Sequence, residues 1–348
     1  MKKIVSLTVI VLMIALMVLP AAGCHKYDGE INVLNWGDYI DPLLIEMFEE
    51  EYNIKVNYTY MSSNEEMITQ LESPDCIYDL CFPSDYVIEK LVANDMLYEL
   101  NMDNIPNMKN VDPRFLDLSF DPGNVYSVPY MWGTVGILYN TTLVDDEVTS
   151  WDILWDEKYE KQILMYDSMR DSIAVALLKL GYDINTRDEA EITAARDVLV
   201  EQWPLVKAYL GDNIKDRMIN NSAALSVVYS GDAMYCMSEN EDLAYAVPME
   251  GSNLWFDNMI IPKTAQHKTE AEMFINFLCD AEVAKQNAEY IGYSTTNAAA
   301  LLLMDDEYVL DETYNPPQEV LDRCTIFHDL GDFVNIYNDA WIYIKTQG

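Results

Sequence analysis

Hydrophobic and polar positions follow two periods along this chain, and the two take turns. "INVLNW" (31–36) reads as a strand, and "IKVNYTYM" (54–61) alternates apolar and polar positions as a strand does. Between them "PLLIEMFEEEY" (42–52) gathers Leu43, Leu44, Met47 and Phe48 on one helical face. "SSNEEMITQLES" opens with Ser-x-x-Glu, a capping box that predicts a helix. "YDLCFPSD" (78–85) is a short buried strand that stops at Pro83, and "YVIEKLVAND" is the next helix. "VYSVPYMWGTVGILYN" (125–140) is a long apolar strand region. The second half repeats the scheme. It reads as a helix over "SWDILWDEKYEKQ", a strand over "ILMYD" (163–167) and a helix over "MRDSIAVALLKLGY". A long helix over "EAEITAARDVLVEQWPLVKAYL" is interrupted near Pro204, and "ALSVVYSG" and "LAYAVP" are strands. Such alternation predicts an α/β protein with parallel sheets, and 348 residues suffice for two domains.

In open α/β sheets ligands bind beyond the carboxyl ends of the strands. The residues at those ends are "NWGDY" (35–39), "PSDY" (83–86), "YDSMRD" (166–171) and "YSGD" (229–232). A fifth segment, "LWFDN" (254–258), follows Pro248 and Gly251. An aromatic within a few residues of an aspartate recurs among them. An aromatic face attracts a cation by about 0.5–2 kcal/mol. A carboxylate takes charge-assisted hydrogen bonds from an ammonium. Ring walls with acids at their ends therefore suit a slim polycationic chain. A sugar would ask for more Asn, Gln and Arg, and a hard metal for acids without ring walls.

Each residue also has a structural reading. Trp36 fits a core position as well as a ligand wall, and Asp38 could cap the helix that begins near Asp41 or Pro42. Asp171 could answer a helix dipole. Trp132 reads as packing near a domain crossing, and Trp151 and Trp155, four apart, as core.

Charge narrows the partners. Fifty-nine acidic residues against 21 Lys and Arg give a formal charge of −38. That field repels nucleic acid and anionic lipid and admits a cationic ligand, although solubility alone accounts for many of the charges. There is no Gly-rich dinucleotide loop, phosphate loop, His-Glu-x-x-His or Gly-x-Ser-x-Gly, and the only histidines are His25, His267 and His328. These absences argue for a non-enzyme without cofactor or metal. The rival of another class is an exported hydrolase with paired carboxylates.

The first 24 residues, "MKKIVSLTVIVLMIALMVLPAAGC", have a basic start, an apolar run and small residues before a cysteine. This is the layout of a secretory signal over 1–23. "AAGC" resembles a bacterial lipobox, with Cys24 as the lipidated residue at the head of a 24–30 tether. An uncleaved anchor is the alternative, and both place residues 25–348 outside the cytoplasm. The other cysteines, Cys76, Cys81, Cys236, Cys279 and Cys324, match no zinc spacing and read mostly as buried free thiols, with a Cys76–Cys81 bridge left open.

Taken in order, "NWGDYIDPLLIEMFEEEYNIKV", "SNEEM", "YDLCFPSDYVIEKL", "YSVPYMWGTVGILYN", "SWDILWDEKY", "VALLKLGY", "LWFDNMIIP" and "IGYSTTNAAA" resemble the bacterial spermidine/putrescine-binding proteins over about residues 31–300. The resemblance implies a two-lobed periplasmic-binding-protein fold of type II with a ligand cleft between α/β lobes. The lobes are expected at 31–131 with 257–302, and at 132–256 with 303–348. It also implies a monomer that gives a polyamine to an ABC permease. Carried over by position, the cleft would be lined by Trp36, Asp38, Tyr39, Ser84, Tyr86, Asp171, Tyr229, Asp232, Trp255, Asp257 and Tyr293. Ser168 stands where spermidine-type members carry an acid. Gly37 removes a side chain that other members supply, and the late Gln has no clear equivalent near Phe327 or His328. The choice among polyamines therefore stays open, as does a same-fold protein for a sugar or another amine.

Overall fold

A computed structural model describes residues 27–346, so the expected leader and Cys24 lie outside the described residues. The chain starts with β1 (Gly29–Trp36), α1 (Pro42–Tyr52), β2 (Ile54–Met61) and α2 (Asn64–Leu71). β3 (Leu80–Cys81) and α3 (Asp85–Ala93) complete this run. β1 pairs in parallel with β2, Gly29 opposite Ile54 through Trp36 opposite Met61, and with β3 on its other side. Val33 and Leu34 are fully buried, as a central strand covered on both faces requires. The capping box forms: the Ser63 hydroxyl accepts from Glu66 N, and Glu66 reaches back to Ser62 N.

The long apolar region is β4 (Ser127–Asn140), of which only Tyr139 is not buried. It belongs to two sheets. Ser127–Thr134 pair antiparallel with β9 (Leu254–Ile260), with a shift in register after Pro129, which has no N–H to give. Val135–Tyr139 pair with β7 (Leu225–Tyr229), and Ile137–Asn140 with β8 (Leu243–Ala246). The first sheet thus runs β2-β1-β3-β9-β4, with β10 (Ser294–Thr295) on β4. In the second, β6 (Val206–Leu210), β5 (Ile163–Tyr166) and β7 lead to β4 and β8. The result is the two-lobed α/β binding-protein fold.

Helices follow the second-lobe strands: α4 (Met169–Lys179), α5 (Glu189–Gln202), α6 (Ile214–Ile219) and α7 (Ser230–Glu239). α8 (Lys268–Leu278) and α9 (Ala281–Ile291) return to the first lobe, and α10 (Val334–Lys345) packs on α5 and α4.

Two expectations of secondary structure change. "SWDILWDEKYEKQ" forms two short 3-10 turns, Trp151–Trp155 and Glu157–Tyr159, because Asp156 is extended and starts a second turn with its own side chain. The long helix ends at Gln202. Pro204 cannot continue it, and "VKAYL" joins the sheet beside β5. Trp132 packs 5.0 Å from Phe115, and Trp151 is fully buried with its indole N–H on Gly251 O. Trp155 is only half-buried. Among the described residues no cysteine is bonded to another: Cys81, Cys236 and Cys279 are buried, and Cys76 and Cys324 half-buried.

Candidate functional site

The carboxyl ends of β1 and β3 set the first wall. Trp36, the last residue of β1, donates its indole N–H to Phe82 O at 2.9 Å, which ties the two strand ends together. The chain turns through Asp38 at φ 49° and buries Tyr39. Asp41, not Asp38, caps α1, accepting from Leu43 N at 2.9 Å just before Pro42. Asp38 stays exposed at the rim.

Ser84 occupies the N-cap position of α3 but does not cap it. Its hydroxyl donates instead to Asp257 Oδ1 at 2.7 Å. Trp255 and Asp257 lie inside β9, not after a strand. Because β9 runs antiparallel to β3, with Cys81 opposite Ile260, its earlier residues lie beyond β3's end, and a single backbone bridge joins Ser84 to Asp257.

The second wall comes from helix starts. Asp171, in the first turn of α4, accepts from the hydroxyls of Ser168 (2.7 Å) and Tyr229 (2.8 Å) and from the Asn253 amide (3.4 Å). Ser168 is the α4 cap. Asp232, in the first turn of α7, accepts from the Tyr293 hydroxyl at 3.0 Å and pairs with Lys215 Nζ at 3.4 Å. Both carboxylates therefore sit where helix dipoles favour negative charge.

Rings join the walls in a row. Tyr39 meets Tyr293 edge-on at 5.3 Å, Tyr293 meets Trp255 at 5.5 Å, Trp255 meets Tyr229 at 6.0 Å, and Tyr229 meets Tyr166 at 4.8 Å. The row needs two glycines. A Cβ on Gly133 would lie 2.6 Å from Trp255 Cζ2, and one on Gly231 2.3 Å from the Tyr293 ring. Tyr39 works on Asp257, Tyr293 on Asp232 and Tyr229 on Asp171, so each acid has its tyrosine.

Burial dominates the electrostatics. It raises the Asp257 pKa to about 6, against the hydroxyls of Ser84 and Tyr39. It also raises Asp232, against the charge of Lys215 and the hydroxyl of Tyr293. Asp85, fully buried behind α3's first turn, is held well above the usual carboxylate range. For Lys215 burial works against the charge, but Asp232, Asp212 and then Asp38 outweigh it and raise its pKa. The Tyr39 hydroxyl and Asn253 Oδ1 are buried without a hydrogen bond of ordinary geometry.

Eight expected residues therefore come together: Tyr39, Ser84, Asp171, Tyr229, Asp232, Trp255, Asp257 and Tyr293. Trp36 buttresses a strand end. The Tyr86 ring lies under the Arg170 guanidinium at 5.1 Å and beside Phe327, outside the row. Lys215 and Asn253 were not among the expected residues, because neither "DNIKDR" nor "GSN" sets an aromatic beside an acid. Among the described residues no cluster of acids, His and Cys has a metal-holding arrangement.

A cleft walled by rings and acids, between two α/β lobes that share a strand, defines a solute-binding protein. Residues 44–315 match the family of bacterial extracellular solute-binding proteins, and the chain belongs to it. Within it, the chain is 35% identical over 333 residues to the spermidine/putrescine-binding periplasmic protein of Salmonella typhimurium, covering 95% of this chain and 96% of that one. This places it among the spermidine/putrescine-binding relatives. A solved Listeria monocytogenes structure, of a candidate spermidine/putrescine ABC transporter, superposes with a TM-score of 0.89 at 44% identity, over 92% of this chain and 99% of that one. The Tp0655 lipoprotein of Treponema pallidum superposes with a TM-score of 0.81 at 25% identity, over 90% and 99%.

Proposed function

We propose that this protein captures a polyamine outside the cytoplasm and passes it to an ABC importer, acting as a monomeric carrier and not as an enzyme. The observation that carries the reading is the set of three buried carboxylates, each beside a tyrosine, along one row of rings. Methylenes lie against Trp255, Tyr293 and Tyr229. Ammonium groups meet Asp257 on the first lobe and Asp171 on the second, with Tyr39 Oη and Asn253 Oδ1 as further acceptors and Asp232 adding negative charge to the second wall. Trp36, Ser84 and Tyr86 hold the first wall, and Asp38 adds negative potential at the rim. Because Trp255 in the first sheet and Tyr293 touch Tyr229 at the end of the second sheet and Asp232 after it, ligand contact with both sides favours the closed arrangement. The lipobox-like "AAGC" supports a membrane tether at Cys24, and the lipoprotein nature of the Treponema relative supports it further.

Titration calorimetry with putrescine, spermidine and a neutral sugar tests this. Saturable binding of a polyamine and none of the sugar is expected. Sugar binding without polyamine binding overturns the reading.

A further inference from the structure

Three carboxylates line the cleft, but they are not equivalent in charge. The donors to Asp171 are two hydroxyls and an amide, and the donor to Asp257 is the Ser84 hydroxyl, all uncharged. Among the described residues, Asp232 alone of the three has an ammonium within ion-pair distance, that of Lys215 at 3.4 Å. Lys215 projects from α6, a helix outside the aromatic row, and only about a fifth of its side chain is exposed. The nearby basic residue Arg170 does not compete. Its guanidinium donates to His328 O and Asn185 Oδ1 and lies 4.2 Å from the centre of the Phe327 ring.

We propose that Lys215 is an internal ammonium that takes the place of a ligand amine on Asp232, so that the site is matched to a diamine and discriminates against a triamine. The inference rests on the polyamine reading above. Asp257 lies at the Tyr39 end of the row and Asp171 at the Tyr229 end, so two anionic groups bracket the rings and accept one ammonium each. A third ligand ammonium reaching Asp232 would meet Lys215 as a like charge in a buried site, where such repulsion is little screened. Asp212 and the rim residue Asp38 act on the same lysine and help hold its charge there. Specificity of this kind is built by repulsion of the wrong ligand as much as by attraction of the right one.

The experiment measures calorimetric affinities for putrescine and spermidine on the wild type, on Lys215→Met and on the double variant Lys215→Met/Asp232→Asn. Methionine keeps the apolar stem and removes the charge. The wild type is expected to bind putrescine more tightly than spermidine. Lys215→Met is expected to shift the ratio toward spermidine by tenfold or more. The double variant, which removes the acid thus freed, is expected to lose that gain and serves as a control that folds with no unpaired buried charge. An unchanged putrescine-to-spermidine ratio in Lys215→Met, with binding retained, overturns this inference alone. Binding of neither polyamine by the wild type overturns the polyamine reading and this inference with it.

Discussion

Ser84 and Asp257 stand 173 residues apart in the chain, yet the Ser84 hydroxyl donates to Asp257 Oδ1 at 2.7 Å and one antiparallel bridge joins their backbones. The contact exists because β9 enters the first sheet against the direction of β3. It leaves Asp257 buried, held by a neutral hydroxyl, with a pKa lifted by burial to about 6. A carboxylate so placed is costly without a cation and strong with one.

Asp257→Asn should therefore separate affinity from stability. Losing a charge-assisted hydrogen bond of about 1.5–3 kcal/mol weakens polyamine binding roughly ten- to hundredfold. Stability moves the other way. Between about pH 4 and 6 the folded protein keeps a proton that the unfolded chain releases, so the cost of this group grows over that window and is complete above it. At about 1.4 kcal/mol per pH unit the full cost is about 3 kcal/mol. The unliganded variant should melt higher than wild type at pH 7 and no higher at pH 4, as thermal unfolding at the two pH values will show.

The same carboxyl sets a pH dependence of binding. Below about pH 6 Asp257 carries a proton, and a cationic ligand must displace it. Affinity should fall by up to about tenfold per pH unit below 6 through this group and level off above 7. Calorimetry at pH 6 in two buffers of different ionisation enthalpy should register proton release on binding. Equal heats in both would contradict it.

Gly231→Ala sets two effects against each other. Alanine is the better helix former by about 1 kcal/mol, which favours α7. Its Cβ would also lie 2.3 Å from the Tyr293 ring, a collision that pushes the ring off Asp232 and Tyr39. The collision should win at the site, with polyamine affinity lowered at least about tenfold and the far-ultraviolet circular dichroism unchanged.

Asp79→Asn should do the reverse. Asp79 is fully buried away from the row and accepts from the backbone N–H groups of Asn32 (2.9 Å), Gln266 (2.8 Å) and His267 (2.9 Å). An amide there turns one acceptor into a donor facing other donors. Denaturant titration should show a loss of about 2 kcal/mol or more, while affinity of the folded protein is unaltered.

Much of this was legible in the chain. The β1–α1–β2 unit follows from period alone, and the aromatics and acids picked out at strand ends come together in one row in the fold. Local pattern failed where a distant element decides. Asp38 and Asp41 are both plausible caps, and Pro42 at the helix start selects Asp41. Tyr86 belongs to the "PSDY" end, but Arg170, from the other lobe, holds its ring. "VKAYL" has no helix-breaking residue of its own and becomes a strand because β5 offers an edge. Lys215 looks like one more solvated charge until α6 sets it against Asp232.

β4 has a consequence for how the molecule comes apart. Its first half lies between β9 and β10, and its second half between β7 and β8. One apolar cluster runs from Val33 past Val135 and Ile137 to Met165. Neither half can melt without stripping the middle strand of the other, so heating should give a single calorimetric transition whose van't Hoff and measured enthalpies agree. The two lobes share the strand that joins them, and they unfold as one.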